Sequence, residues 1–135
     1  MNLNISISRR WVSEWKQRLE KLPLEKFIVP LAILFATVAT YLSYINDKII
    51  SYGDAESHLN IAKRVIDSLT AGMAQLGGIW LPIPHLLMVP FVYFDGLWRT
   101  GLAGSIVSGL AYVVSGIFVY KTFYYLTKNK LDALS

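Results

Sequence analysis

The chain of 135 residues contains no cysteine and only two histidines. Without thiols, disulfide scaffolds, thiolate zinc sites and cysteine nucleophiles are excluded. Charge is scarce as well: Asp, Glu, Lys and Arg make up 16% of the residues, against roughly 25% in average soluble domains. A disordered chain needs high charge and low hydrophobicity, and is excluded on that ground. No Walker loop, dinucleotide fingerprint, His-Glu-x-x-His or Gly-x-Ser-x-Gly pattern occurs. The basic residues form no face broad enough for a nucleic acid. What the chain has in plenty is apolar surface, with 54% hydrophobic and 13% aromatic residues and a mean hydropathy of +0.43. One modest domain fits this length. The composition implies an all-α integral membrane protein with the lipid bilayer as its first partner.

The charges are unevenly placed. Residues 1–26 hold Arg9, Arg10, Lys16, Arg18, Lys21 and Lys26 against Glu14, Glu20 and Glu25, most of the chain's net excess of +4. Trp11, Trp15, Leu19 and Leu22 share one helical face, so the segment reads either as an interfacial amphipathic helix or as a solvated terminus beside the membrane. Residues 27–45 carry no charge, and as a helix they span about 28 Å, close to the hydrocarbon thickness of a bilayer. This is the first expected transmembrane helix, with Tyr41 and Tyr44 at belt positions. The positive-inside rule places the basic N-terminus in the cytoplasm and the following residues on the outer side.

Residues 46–82 form the expected outer loop. Within it 54–69 read as an amphipathic helix, with Ala55, Leu59, Ala62, Ile66 and Leu69 on one side and Glu56, Asn60, Lys63 and Asp67 on another. Gly72, Gly77, Gly78 and Pro82 then break the chain into turns. A short second membrane helix is expected over 83–98, kinked at Pro90, with Arg99 on the cytoplasmic side. A third is expected over 100–126, and its small residues Gly101, Ser105 and Gly109 permit close helix packing. The tail over 127–135, with Lys128 and Lys130, would then face outward, against the charge rule.

Ionisable residues gather in the outer loop. On a helix Asp54 and His58 are one turn apart, whereas Glu56 points about 200° from Asp54. Were Asp54 the N-cap, both carboxylates could turn to one site, hold a divalent cation, or accept a proton from an incoming hydroxyl. Taken singly they are equally an ordinary helix cap and a first-turn acid favoured by the dipole. His85 lies between Pro84 and Leu86, with Trp80 just ahead. There an interfacial histidine and a belt tryptophan are alternatives to a phosphate donor and a stacking surface for a sugar or isoprenoid. Lys63 and Arg64 read as headgroup contacts.

The order of these features resembles a known family. The segments Tyr52-Gly-Asp54-Ala-Glu56-Ser-His58-Leu, Ile61-Ala-Lys-Arg-Val-Ile-Asp-Ser and Gln75-Leu-Gly-Gly-Ile-Trp80-Leu-Pro-Ile-Pro-His85-Leu-Leu are similar to the N-terminal part of polyprenyl-phosphate-sugar-dependent glycosyltransferases. These belong to the GT-C superfamily, and the nearest group is the family 39, protein-mannosyltransferase-like enzymes. The resemblance implies a sugar donor on dolichyl or undecaprenyl phosphate, transfer at the outer face, and the plasma membrane of a prokaryote. By position Asp54 would be the base towards the acceptor and Glu56 its helper, with a divalent Mg or Mn ion as a possible cofactor held by the same two acids. His58, Trp80 and His85 would be substrate-binding. Such enzymes carry more membrane helices than this chain, so it is expected to need C-terminal helices or a partner membrane protein, and to be inactive alone. The alternative is a small non-enzymatic three-helix membrane protein that packs on a partner through Gly101, Ser105 and Gly109.

Overall fold

The computed structural model describes residues 25–76 and 80–128. The basic segment before Glu25, the Gly77-Gly78 turn and the tail after Lys128 lie outside the described residues. Among the described residues every regular element is helical: α1 (Glu25–Ile45), α2 (Gly53–Arg64), a 3-10 turn (Met73–Leu76), α3 (Pro82–Val92), α4 (Asp95–Arg99) and α5 (Leu102–Thr127). Two of them, α1 from Lys26 and α5, are long and apolar enough to cross a membrane.

Helix α1 starts before Phe27, so Pro30 lies in its second turn, where the missing N–H deprives only the Lys26 carbonyl of its helical donor. It ends in a Schellman turn. Asp47 takes a left-handed φ of 53°, its N–H donates to the Tyr44 carbonyl at 3.2 Å, and the Lys48 N–H donates to the Ser43 carbonyl at 2.8 Å. Aspartate is among the few residues besides glycine that adopt this backbone readily.

Helix α2 stops at Arg64, short of the expected Leu69. Beyond it the Lys63 carbonyl accepts from both the Ile66 and Asp67 N–H, and the Gly72 N–H folds back onto the Val65 carbonyl at 2.9 Å. The run Val65-Ile66-Asp67-Ser68 has low helix propensity. The apolar stripe is also spent by then, since Leu69 is fully exposed while Leu59 and Ala62 are buried.

The helix expected over 83–98 is not continuous. Pro82 opens α3 at a position where a proline costs nothing. Pro90 near its end withholds a donor from the Leu86 carbonyl, and at Phe94 the backbone is extended (φ −86°, ψ 110°) before α4 restarts at Asp95. The 11 residues of α3 measure about 16 Å, roughly half a hydrocarbon core.

Residues Ile33–Val113 form one compact unit, with the outer ends of α1 and α5 in a second. The core of the first unit joins Leu59 and Ala62 of α2 to Met88 and Val92 of α3 and Ala103 of α5, with Phe91, Leu97, Trp98 and Val107 around them. Gly101, at φ +78°, sits where a Cβ would run into the Cγ2 methyls of Ile49 and Ile50; eight residues on, a Cβ at Gly109 would stand 3.6 Å from Ala36. Within this unit, therefore, α1 and α5 run in opposite directions, and the chain leaves α1 and enters α5 at the same end. In the second unit the Tyr120 and Tyr124 rings stack at 6.2 Å, and Lys128 stands over the Tyr125 ring at 4.1 Å.

Candidate functional site: a histidine pair at the mouth of a cleft

The cap between Ile45 and Leu102 collects most of the polar contacts. Helix α2 begins after Tyr52, whose extended backbone caps it without a side-chain bond. Gly53 and Asp54 are already helical, so Asp54 is a first-turn residue and not the N-cap. Asp54 and Glu56 therefore point about 200° apart, both exposed, and among the described residues neither accepts a hydrogen bond. Their position suits the helix dipole, as Lys63 and Arg64 suit it at the other end.

Next on the Asp54 face is His58. Its Nδ1 lies 2.7 Å from Nε2 of His85 on α3, and the Trp80 ring meets it edge-on at 4.8 Å. His85 is completely buried, and among the described residues its Nδ1 has no hydrogen-bond partner. Burial, then the neighbouring His58, push the His85 pKa below the ordinary histidine value, while the Leu81 carbonyl acts in the opposite direction. His85 is thus held neutral. With Nδ1 of His58 engaged, Nε2 is the nitrogen left for a ligand.

His58 lines a cleft of about 780 Å³ formed by α1, α2, α3 and the first turns of α5. Lys48, Tyr52 and His58 line it at the end where α1 stops; Phe35 and Tyr112 line it deeper along the two long helices. A polar mouth over an apolar depth is the shape of an amphipathic ligand. Asp54 and Glu56 are not part of the lining; Asp54 stands at the rim, one residue before Ala55, which is.

The structure thus joins His58, His85 and Trp80 and leaves the two acids apart. It also gives two proposed packing residues, Gly101 and Gly109, a place within the chain, while Ser105 lines the cleft. Asp54 and Glu56 do not converge on one site, and among the described residues no group of three His, Asp or Glu side chains that could hold a metal ion occurs.

A second constellation was not legible as such. Lys63, expected at a headgroup, is buried; its Nζ donates to Asp95 Oδ1 at 2.7 Å and to the Val92 carbonyl at 3.2 Å. It also lies 5.1 Å over the Trp98 ring, while Trp98 Nε1 donates to Asn60 Oδ1 at 3.1 Å. The signal available was a pair of matching spacings: Asn60 and Lys63 lie three apart on α2, Asp95 and Trp98 three apart on α4. No protein-family model, curated protein or solved structure matches this chain. The class defined by fold and composition is an all-helical chain with two candidate membrane-spanning helices.

Proposed function

We propose that this chain is the N-terminal portion of an integral-membrane glycosyltransferase, which moves a sugar from a polyprenyl-phosphate carrier to an acceptor on the outer face. The residue pattern from Tyr52 to His85 suggests the class. The observation that carries it is the cleft, whose mouth presents Lys48, Tyr52 and His58 above a mainly apolar depth that also holds Thr40, Ser105 and Ser108. A phosphate-headed isoprenoid chain has that same division of polarity.

In the reaction the acceptor oxygen forms a bond to the sugar's anomeric carbon, the bond from that carbon to the carrier's phosphate breaks, and the acceptor's proton goes to a base. Asp54 is the base in this reading: it is exposed, and among the described residues no donor engages its carboxylate. The phosphate leaves on its lipid with added negative charge, which Lys48 can stabilise, joined by His58 Nε2 when the pair's proton lies on His85 Nε2 and that of His58 on its own Nε2. Glu56, pointing away from Asp54, serves acceptor positioning at most. Further helices, on the same chain or a partner, complete the donor site, and the 135 residues alone are inactive. The alternative of a packing protein using the Gly101/Ser105/Gly109 face is less well supported, because Gly101 and Gly109 already meet Ile49, Ile50 and Ala36. The test is transfer of lipid-linked sugar in membranes from the intact locus. Asp54→Asn at unchanged protein level should abolish it; full transfer by that variant would refute the assignment.

A further inference from the structure

The antiparallel placement of α1 and α5 constrains how the chain meets a bilayer. Ile49 and Ile50, just after α1, lie against Gly101, just before α5. Everything from Asn46 to Thr100 is therefore inserted at one end of that helix pair. Helix α3 has two unlike faces. His85, Met88 and Val92 point into the protein, whereas Ile83 and Leu87 are uncovered, as are the flanking Leu81 (80% exposed), Tyr93 (72% exposed) and Phe94. No charged residue falls between Trp80 and Phe94. Helix α2, packed on the other side of the core, carries the exposed charges Asp54, Glu56 and Arg64.

We propose that the chain crosses the bilayer twice, through α1 and α5, and that α3 lies in the leaflet from which α1 emerges. Its partner surface is lipid, met by Leu81, Ile83, Leu87, Tyr93 and Phe94, with α2 on the water side. The cap is a two-layer structure: a charged helix above and an apolar helix below, joined by the shared core. The occupant of the apolar face follows from continuity, since α1 and α5 present uncovered apolar side chains such as Leu42, Ile45 and Leu110 next to the cap. Charge supports it independently. With two crossings, the six basic residues before Phe27 and Lys121, Lys128 and Lys130 share one side, nine of the chain's thirteen Lys and Arg. With three crossings the division is seven to six, because Arg99 joins the first six and the tail departs. The nine-to-four division is the one the positive-inside rule favours.

The proposal rests on α1 and α5 being bilayer spans, not on any activity. Since the chain has no cysteine, single reporters are clean. Asn46→Cys, Leu87→Cys, Arg99→Cys and Lys128→Cys would be made one at a time in the full chain, in intact cells. Asn46→Cys and Arg99→Cys should react with a membrane-impermeant maleimide added outside, and Lys128→Cys only after permeabilisation. Leu87→Cys should resist that reagent and react with a membrane-soluble one. Arg99→Cys labelled only from inside with Lys128→Cys labelled from outside would establish three crossings and overturn the proposal. Rapid impermeant labelling of Leu87→Cys would place α3 in water and overturn its leaflet position. Release of the chain by an alkaline wash would remove the spans themselves.

Discussion

Asp54 and Glu56 in the first turn of α2 and Lys63 in its last are treated in opposite ways. At the start, Asp54 and Glu56 are exposed and among the described residues neither carboxylate accepts a hydrogen bond, while His58 lines the cleft with its Nδ1 engaged. At the end, Lys63 is nearly buried and fully engaged: Asp95 and the Val92 carbonyl accept from it, and the Trp98 ring lies beneath it. Both ends belong to one rigid helix and obey the same dipole rule, so propensity does not separate them. What separates them is whether polar capacity is used up inside the chain. A group whose hydrogen bonds are complete holds the fold; a group left with capacity at a cleft is available to a ligand.

That distinction can be broken by substitution at each end. The largest effect is expected at Asp54. Removing a general base lowers transfer by roughly a thousandfold, and because among the described residues nothing bonds to its carboxylate, Asp54→Asn loses only its favourable place in the helix dipole and its melting in detergent should stay within about 1 kcal/mol of the parent. Next comes Lys63→Ala, which removes the donor to the Val92 carbonyl and the packed stem over Trp98. It should cost about 2–3 kcal/mol of stability, read from denaturant unfolding followed by tryptophan fluorescence. Smaller still is Asp95→Asn. Its side chain is 65% exposed, so the double-mutant coupling to Lys63 should be a small fraction of the loss in Lys63→Ala. A coupling several times larger would mean that the pair is shielded in the membrane-bound protein.

The smallest effect, and the one that separates the two ends by pH, is acid destabilisation in two stages. His85 binds its proton less readily in the folded state than its ordinary value of 6.5. Stability is therefore full above about 6.5 and declines as pH falls below it, because the unfolded chain takes up the proton first. Asp95 is held below its ordinary 3.8 by the hydrogen bond from Lys63 and then by its charge. Its contribution is present above that value and disappears as pH falls through the folded one. Melting temperatures between pH 7 and 4 should lose their slope in His85→Gln and keep it in Asp95→Asn.

Much of the frame was legible in the sequence. The nineteen uncharged residues from Phe27 to Ile45 mark α1, and the acids after Gly53 mark the start of α2, because both signals are local. The segment 83–98 was read as one crossing because its apolar residues run on without a charge until Asp95. Periodicity does not report where Pro90 and an extended Phe94 end a helix, nor that the chain has come back to Ile49. Gly101 was read as a seat for another helix and instead receives the Ile49-Ile50 turn, since a small residue shows that something approaches but not what. His58 and His85 are 27 positions apart and Lys63 and Asp95 are 32 apart. Pairings at such separations are fixed by the packing of α2 on α3 and α4, and a single sequence carries no direct record of that.

The most direct test of the contrast within α2 is to assay Asp54→Asn and Lys63→Ala side by side, measuring sugar transfer in membranes and unfolding of the same preparations. Abolished transfer at unchanged stability for Asp54→Asn, with lowered stability for Lys63→Ala, is the expected result. Full transfer by Asp54→Asn together with unchanged stability in Lys63→Ala would contradict the roles assigned to both ends of the helix.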